Sequence, residues 1–248
     1  MKEVILITGS SRGIGAATAL LAARQGYAVC VNYLRAAPAA EALCARIVAE
    51  GGEAIAVQAD VSVEADVERL FDEVDARLGT LTALVNNVGV LEQKCRLVDI
   101  SAQRLERVLR TNVISYFLCC RQAVRRMSTA NGGRGGRIVN VSSAAARIGS
   151  PGEYIDYAAS KGAVDTLTLG LAKEVAAEGI RVNGVRPGII HTDIHASGGE
   201  PERVARLAPG VPMQRGGQPE EIADAILYLL GPGATYVTGS ILDVAGGR

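Results

Sequence analysis

The chain has 248 residues, is 48% apolar and 21% charged, and carries 26 basic and 26 acidic side chains. That composition supplies a sizeable core and excludes a disordered chain, which needs low hydrophobicity and high net charge. A net charge of zero excludes bulk attraction to nucleic acid or to an anionic membrane, and no run of about 18 apolar residues reads as a spanning helix.

Five cysteines occur, Cys30, Cys44, Cys95, Cys119 and Cys120, with no C-x-x-C. Neither a disulfide framework nor a zinc site is expected; buried, reduced thiols are. The opening MKEVILITGS runs straight into a strand-like segment and does not read as a secretory leader, so a cytoplasmic protein is expected.

In chain order the pattern is strand, then helix. Strands are predicted over 3–8, 27–33, 53–58, 81–86, 137–142, 180–186 and 240–244. Helices are predicted over 16–25, 39–50, 63–78, 101–127, 156–177 and 219–230, the 101–127 helix being long enough to break or kink. Gly26, Gly51 and Gly79 stand where helix C-terminal glycines belong. The run Arg121 to Arg126 reads as the wet face of a helix. Alternation of this kind implies parallel pairing with right-handed crossovers. Strands such as VILI and RIVNV are apolar throughout, as in a sheet covered on both faces. The expectation is an α/β, doubly wound Rossmann-type domain of about seven strands over 1–248, with 191–218, dense in Gly and Pro, as a lid.

Between the first strand and helix lies Thr8-Gly9-Ser10-Ser11-Arg12-Gly13-Ile14-Gly15. Glycines permit a tight turn and close backbone approach, and a helix N-terminus aims N–H groups at the same point, which suits a pyrophosphate. The spacing is G-x3-G-x-G; read alone, it is also compatible with a plain βα turn. The second strand ends Val31-Asn32-Tyr33-Leu34-Arg35, with no acid before Glu41. An NAD site usually places an acid there for the ribose 2′-OH. Here Asn32 and Tyr33 stand in that position, and Arg35 with Arg12 matches a 2′-phosphate instead, which favours NADP(H).

Tyr157 and Lys161 are four apart in a predicted helix and share a face. An unperturbed phenol titrates near pH 10, and a nearby ammonium lowers it towards use as an acid/base. Tyr154 has Ala158 at the same spacing and so lacks the partner. Ser142 and Ser143 close the fifth strand, at the sheet edge where ligands bind; both also suit a turn or cap.

Taken together, TGSSRGIG, the NNVG of Asn86 to Gly89, Asn112, Ser142-Ser143, YAASK and Arg186-Pro187-Gly188 resemble the short-chain dehydrogenase/reductase family, in the branch with 3-oxoacyl-carrier-protein reductases and glucose dehydrogenases. The resemblance spans the whole chain in the same order. It implies that Tyr157 is the catalytic acid/base and that Lys161 lowers its pKa and binds the nicotinamide ribose. It implies that Ser143 orients substrate and Asn112 holds a relay water. Gly9, Ser11, Arg12, Gly13, Ile14 and Gly15 then form the cofactor loop, with Asp60 and Val61 beside adenine. Asn87 and Gly89 lie along the cofactor, and Pro187, Gly188 and Thr192 close over nicotinamide. It also implies a homotetramer.

Two positions depart from the family pattern. Val88 replaces the usual Ala in NNVG, and the interval from Ser143 to Tyr157 is one residue longer than usual. That leaves Ser142 and Ser143 both in play for the substrate-orienting role, with Ser143 preferred. His191 and His195 flank Asp193, but two ligands do not make a metal site, and no metal is expected. The resulting expectation is an enzyme moving a hydride between NADP(H) and a small carbonyl or alcohol. The alternatives are 3-oxoacyl thioester reduction, with Arg203 and Arg206 as carrier contacts or plain solvated charges, sugar dehydrogenation, and a catalytically silent NADP(H) sensor. The four catalytic positions, all present, argue against the last.

Overall fold

The computed structural model describes residues 2–248. Seven strands lie in one parallel sheet: β1 (Glu3–Ile7), β2 (Tyr27–Tyr33), β3 (Glu53–Gln58), β4 (Ala83–Asn86), β5 (Gly136–Val141), β6 (Ile180–Pro187) and β7 (Ile241–Val244). Their order is β3-β2-β1-β4-β5-β6-β7, the doubly wound Rossmann-type arrangement expected from the alternation. Ile5 of β1 pairs with Val29 on one side and Ala83 on the other. The order reverses between β1 and β4, and ligands of such sheets bind beyond the strand carboxyl ends at that point.

The helices are α1 (Gly13–Arg24), α2 (Ala37–Ala49), α3 (Glu64–Arg77), α4 (Ala102–Leu109), α5 (Ser115–Met127), α6 (Ala145–Ile148), α7 (Ile155–Val175), α8 (Ile194–Ser197), α9 (Arg203–Leu207) and α10 (Pro219–Leu230). Side chains of a strand alternate between faces. Accordingly Val4 and Leu6 join Phe71, Cys119 and Val175 in one core layer under α3, α5 and α7. Ile5 and Ile7 join Ala19, Leu43 and Ile226 in the other, under α1, α2 and α10. No helix among the described residues is long and apolar enough to cross a membrane.

The structure corrects several local expectations. The first helix begins at Gly13 rather than residue 16, because the glycine loop itself supplies the first turn. The predicted 101–127 helix is interrupted by a π-helical turn, Arg110–Ile114, the break its length suggested. Three short helices, α6, α8 and α9, fall where no element was predicted; four or five residues are too few to show periodicity. Cys44 and Cys95 are only partly covered, whereas Cys30, Cys119 and Cys120 are buried. Within Arg121 to Arg126, Gln122 and Ala123 are buried, and Arg126 pairs with Asp72 and Asp75 of α3 at 2.6 Å each.

Candidate active site

The loop after β1 is fastened from below. Gly9 N–H donates to Asn32 Oδ1 at 3.1 Å, and the Asn32 amide donates in turn to the carbonyls of Val57 and Ala59. Asn87 Nδ2 donates to the Thr8 and Gly9 carbonyls at 2.9 and 3.0 Å. Asn32 and Asn87 are thus brought to the loop as its supports, with their amides spent on backbone. Ser10 is buried, and its hydroxyl donates to the Ile7 carbonyl.

Two glycines leave no alternative residue. A Cβ on Gly15 would stand 2.6 Å from Asn87 Nδ2 and 2.7 Å from Ser10 Cα. Gly13 has φ of +57° and faces Thr192 of the segment after β6. Helix α1 carries no acid in its first turn, and Arg12 gives no side-chain cap. The cradle therefore fits the pyrophosphate of a dinucleotide: bare N–H groups and a positive helix end.

Of the residues expected to meet adenosine, Ser11, Tyr33 and Asp60 are partly covered, Val61 is buried, and Arg35 is exposed. Asp60 accepts from the backbone and hydroxyl of Ser62, which fixes its carboxylate. Arg12 lies 3.7 Å from Asp193, both largely exposed, an ion pair of little strength. After β6, where nicotinamide is expected, Gly188 packs on Ala245, where a Cβ would meet Ala245 Cα at 2.7 Å, and the Pro187 carbonyl accepts from Ala144.

The four catalytic candidates lie around the carboxyl ends of β4 and β5. Asn112 sits inside the π-helical turn; its Oδ1 accepts from Val90 N–H at 2.8 Å, and its Nδ2 donates to the Val90 carbonyl and to Ser160 Oγ. Ser160 Oγ donates to the Tyr157 carbonyl, tying this turn to α7. Gly89 lies beside Lys161 and Asn112, where a Cβ would make ordinary contact with Lys161 Nζ at 3.6 Å.

Tyr157 and Lys161 project from the same side of α7, Nζ lying 5.8 Å from the tyrosine ring centre. Lys161 is 2% exposed, and burial brings its ammonium down to about 7, against a small upward pull from Asp165. The Tyr157 phenol is pushed up by desolvation, while a hydrogen bond with Ser143 and the charge of Arg203 pull it down. Tyr157 keeps some solvent access, which offsets part of the upward push. In the protein itself Ser143 and Arg203 act downward on this phenol and burial outweighs them.

Two contacts went unnoticed in the sequence. Arg104 grips Asp156 through two nitrogens at 2.7 and 3.1 Å, and Asp156 Oδ1 accepts from the Tyr157 N–H. This buried pair holds the start of α7 against α4, immediately before Tyr157. Asp156 as the neighbour of Tyr157 was the one available signal. The other is Tyr116, whose hydroxyl meets Lys161 Nζ at 3.2 Å.

The segment after β6 folds across the site. Arg203 is buried, stacks 4.7 Å over the Tyr154 ring, and pairs with Glu153 at 2.7 Å and Glu200 at 2.8 Å. It is neither a solvated charge nor free to meet a carrier, which corrects both alternatives. His195 Nε2 bonds the Ile190 carbonyl at 2.9 Å. Among the described residues no group of three His, Cys, Asp or Glu is placed to hold a metal ion. A cavity of about 570 Å³ lies apart from the catalytic cluster, among Arg147, Met213, Glu221, Asp243 and Arg248.

The comparisons agree with this geometry. A family model described as enoyl-(acyl carrier protein) reductase matches residues 9–248. The chain is 58% identical over 245 residues to the uncharacterized oxidoreductase YgfF of Escherichia coli, covering 99% of each. It is 39% identical over 247 residues to a 3-oxoacyl-[acyl-carrier-protein] reductase of Synechocystis, covering 99% of this chain and 96% of that one. A solved short-chain dehydrogenase/reductase of Serratia marcescens superposes with a TM-score of 0.90 at 34% identity, covering 99% of this chain and 97% of that one. A glycine cradle at the sheet's switch point, a Tyr and Lys one turn apart beside a serine, and likeness along nearly the whole length lead to one conclusion: this chain belongs to the short-chain dehydrogenase/reductase family of oxidoreductases, which use a nicotinamide cofactor.

Proposed function

We propose that the protein interconverts a carbonyl and an alcohol with NADP(H), using Tyr157 as acid/base. The observation that carries this is Tyr157 with Lys161 one turn further along the same helix, Nζ lying 5.8 Å from the tyrosine ring centre. The nicotinamide supplies or accepts the hydride. In the reducing direction Tyr157 donates its phenolic proton to the substrate oxygen, and Ser143 fixes that oxygen by a hydrogen bond. Lys161, charged in a large fraction near neutral pH, stabilises the phenolate left behind. Asn112 holds the π-helical turn against the loop after β4, keeping a place for relay water. Arg203, closed over Tyr154 by the lid, adds positive charge towards Tyr157.

NADP(H) is preferred over NAD(H) because β2 ends without an acid and Arg35 stands exposed beside it. A second reading, reduction of 3-oxoacyl thioesters, draws on the likeness to the Synechocystis reductase. Five cysteines without a disulfide suit a reducing, cytoplasmic setting. A homotetramer is supported by apolar side chains left open on α4, the π-helical turn, α5 and α7.

The test is NADPH oxidation against a panel of aldehydes, ketones, sugars and acyl thioesters. For any active substrate Tyr157→Phe loses about 100- to 10,000-fold in kcat while NADPH fluorescence binding stays near normal. Near-normal turnover in that variant overturns the assignment.

A further inference from the structure

Tyr116 stands on the first turn of α5, four residues after Asn112, and is completely buried. Its hydroxyl lies 3.1 Å from the Val88 carbonyl and 2.9 Å from the Val141 carbonyl, at the ends of β4 and β5. It has one proton for these two acceptors and donates to one of them, and its oxygen also accepts from a third neighbour. That neighbour is Lys161, whose Nζ donates to the Tyr116 oxygen at 3.2 Å and to the Val141 carbonyl at 2.8 Å. Nζ also lies 5.1 Å from the centre of the Tyr116 ring, whose face attracts a cation.

We propose that Tyr116 is a positioning residue of the active site: its hydroxyl and ring hold the Lys161 ammonium charged and directed beneath Tyr157. The proposal rests on the reading of Lys161 given above and adds a residue to it. An ammonium has three donors and no acceptor, and two of them are held here by oxygen atoms. Acceptors favour the charged form, whereas the surrounding burial disfavours it. Phenylalanine would fill the same volume and keep the ring, but would withdraw one of those two acceptors. The groups that bear on the pair are Asp165 and Tyr157 from α7, and Cys119 and Cys120 from α5. The strand ends contribute the carbonyls of Val88 and Val141. Asp165 is itself engaged by Arg186 at 2.9 Å, which limits its pull on Lys161. Tyr116 is then the near neutral group that supports the charge.

The chain has only four lysines, Lys2, Lys94, Lys161 and Lys173, and of these Lys161 alone is buried. In protein labelled at the lysine ε-carbon, NMR therefore gives one signal titrating at about 7, clear of those in the ordinary lysine range. Tyr116→Phe moves that midpoint down by about one pH unit, the effect of losing one hydrogen bond to a charged group. A midpoint that does not fall overturns the proposal. Should the variant fail to fold, labelled tyrosine in the unaltered protein answers the same question. The Tyr116 signal, told apart from that of Tyr157 by the Tyr157→Phe spectrum, shifts through the Lys161 midpoint. A Tyr116 signal that stays flat there overturns the proposal as well. Neither readout uses turnover or cofactor, so failure of the carbonyl assay and failure of this inference are separate results.

Discussion

Ser142 Oγ donates to the backbone carbonyl of Lys161 at 3.1 Å, inside the protein, while Ser143 Oγ, in the next residue, accepts from the Ala145 N–H and pulls the Tyr157 phenol downward. The two serines that the sequence leaves in competition thus face different partners. Ser142 secures α7 to the end of β5, and Ser143 bears on Tyr157.

Ser143→Ala is therefore expected to lower kcat by about 100-fold or more with little change in melting temperature. Ser142→Ala removes a second donor from a helix carbonyl and costs about 0.5–1.5 kcal/mol in unfolding free energy, with a smaller loss of kcat. Parallel kinetics and urea melts of the two variants check this; a kcat loss confined to Ser142→Ala reverses the assignment.

What the sequence revealed of this site was what is local in the chain. Tyr157 and Lys161 share a helix face by spacing alone, and the glycine loop declares itself between a strand and a helix. Partners that meet across the fold left no such trace. Arg104 and Asp156 are 52 residues apart, and Arg203 meets Glu153 from 50 away. An arginine on a five-residue helix reads as solvated until Tyr154 is seen lying under it. Asn32 read as a ligand contact because it ends β2 near the ribose position, and only the three-dimensional register shows its amide turned inward to the Val57 and Ala59 carbonyls. The parallel, doubly wound sheet was legible for the opposite reason: apolar strand runs and crossover helices imply it, whatever the individual contacts.

Cofactor choice is expected to depend on Arg35, the exposed cation after β2. Wild-type kcat/KM is expected to be higher with NADPH than with NADH. Arg35→Ala lowers the NADPH value about tenfold or more, because one charge-assisted phosphate contact is lost, and leaves the NADH value nearly unchanged. A wild-type preference for NADH would show that β2 is misread.

Acid should loosen the lid through Glu200. Lys94 at 2.7 Å, Arg203 at 2.8 Å and Arg206 at 2.9 Å bring its carboxyl down to about 2. The folded value is lower than that of an unfolded glutamate, so this stabilisation is complete above the ordinary carboxylate range. It is lost as pH falls from that range towards 2. Glu200→Gln is less stable than wild type at pH 7 and converges with it in acid. Urea midpoints measured from pH 7 to pH 3 check the convergence; parallel curves for the two proteins contradict it.

Assembly is the last expectation. Leu105 and Leu109 of α4, Ile114 of the π-helical turn, Phe117 of α5 and Leu169 of α7 are all exposed, Phe117 at 52%. The helices that carry them are those that hold Asn112 and Tyr157. Single exposed apolar residues need no explanation, but five on neighbouring helices form a surface that a monomer rarely leaves in water. A two-fold axis covers such a surface with its own copy, since each apolar residue meets an equivalent one. A second open region lies near β7, where Leu242, Tyr236 and Met213 are exposed. Two different self-complementary faces close four copies, whereas one face closes two. Light scattering at micromolar concentration should therefore give the mass of four 25.8 kDa chains. Phe117→Glu places a charge in the first face and should reduce the assembly to dimers held by the second, with kcat falling because α5 and α7 lose their outer support. A wild-type mass of one chain, stable on dilution, excludes assembly.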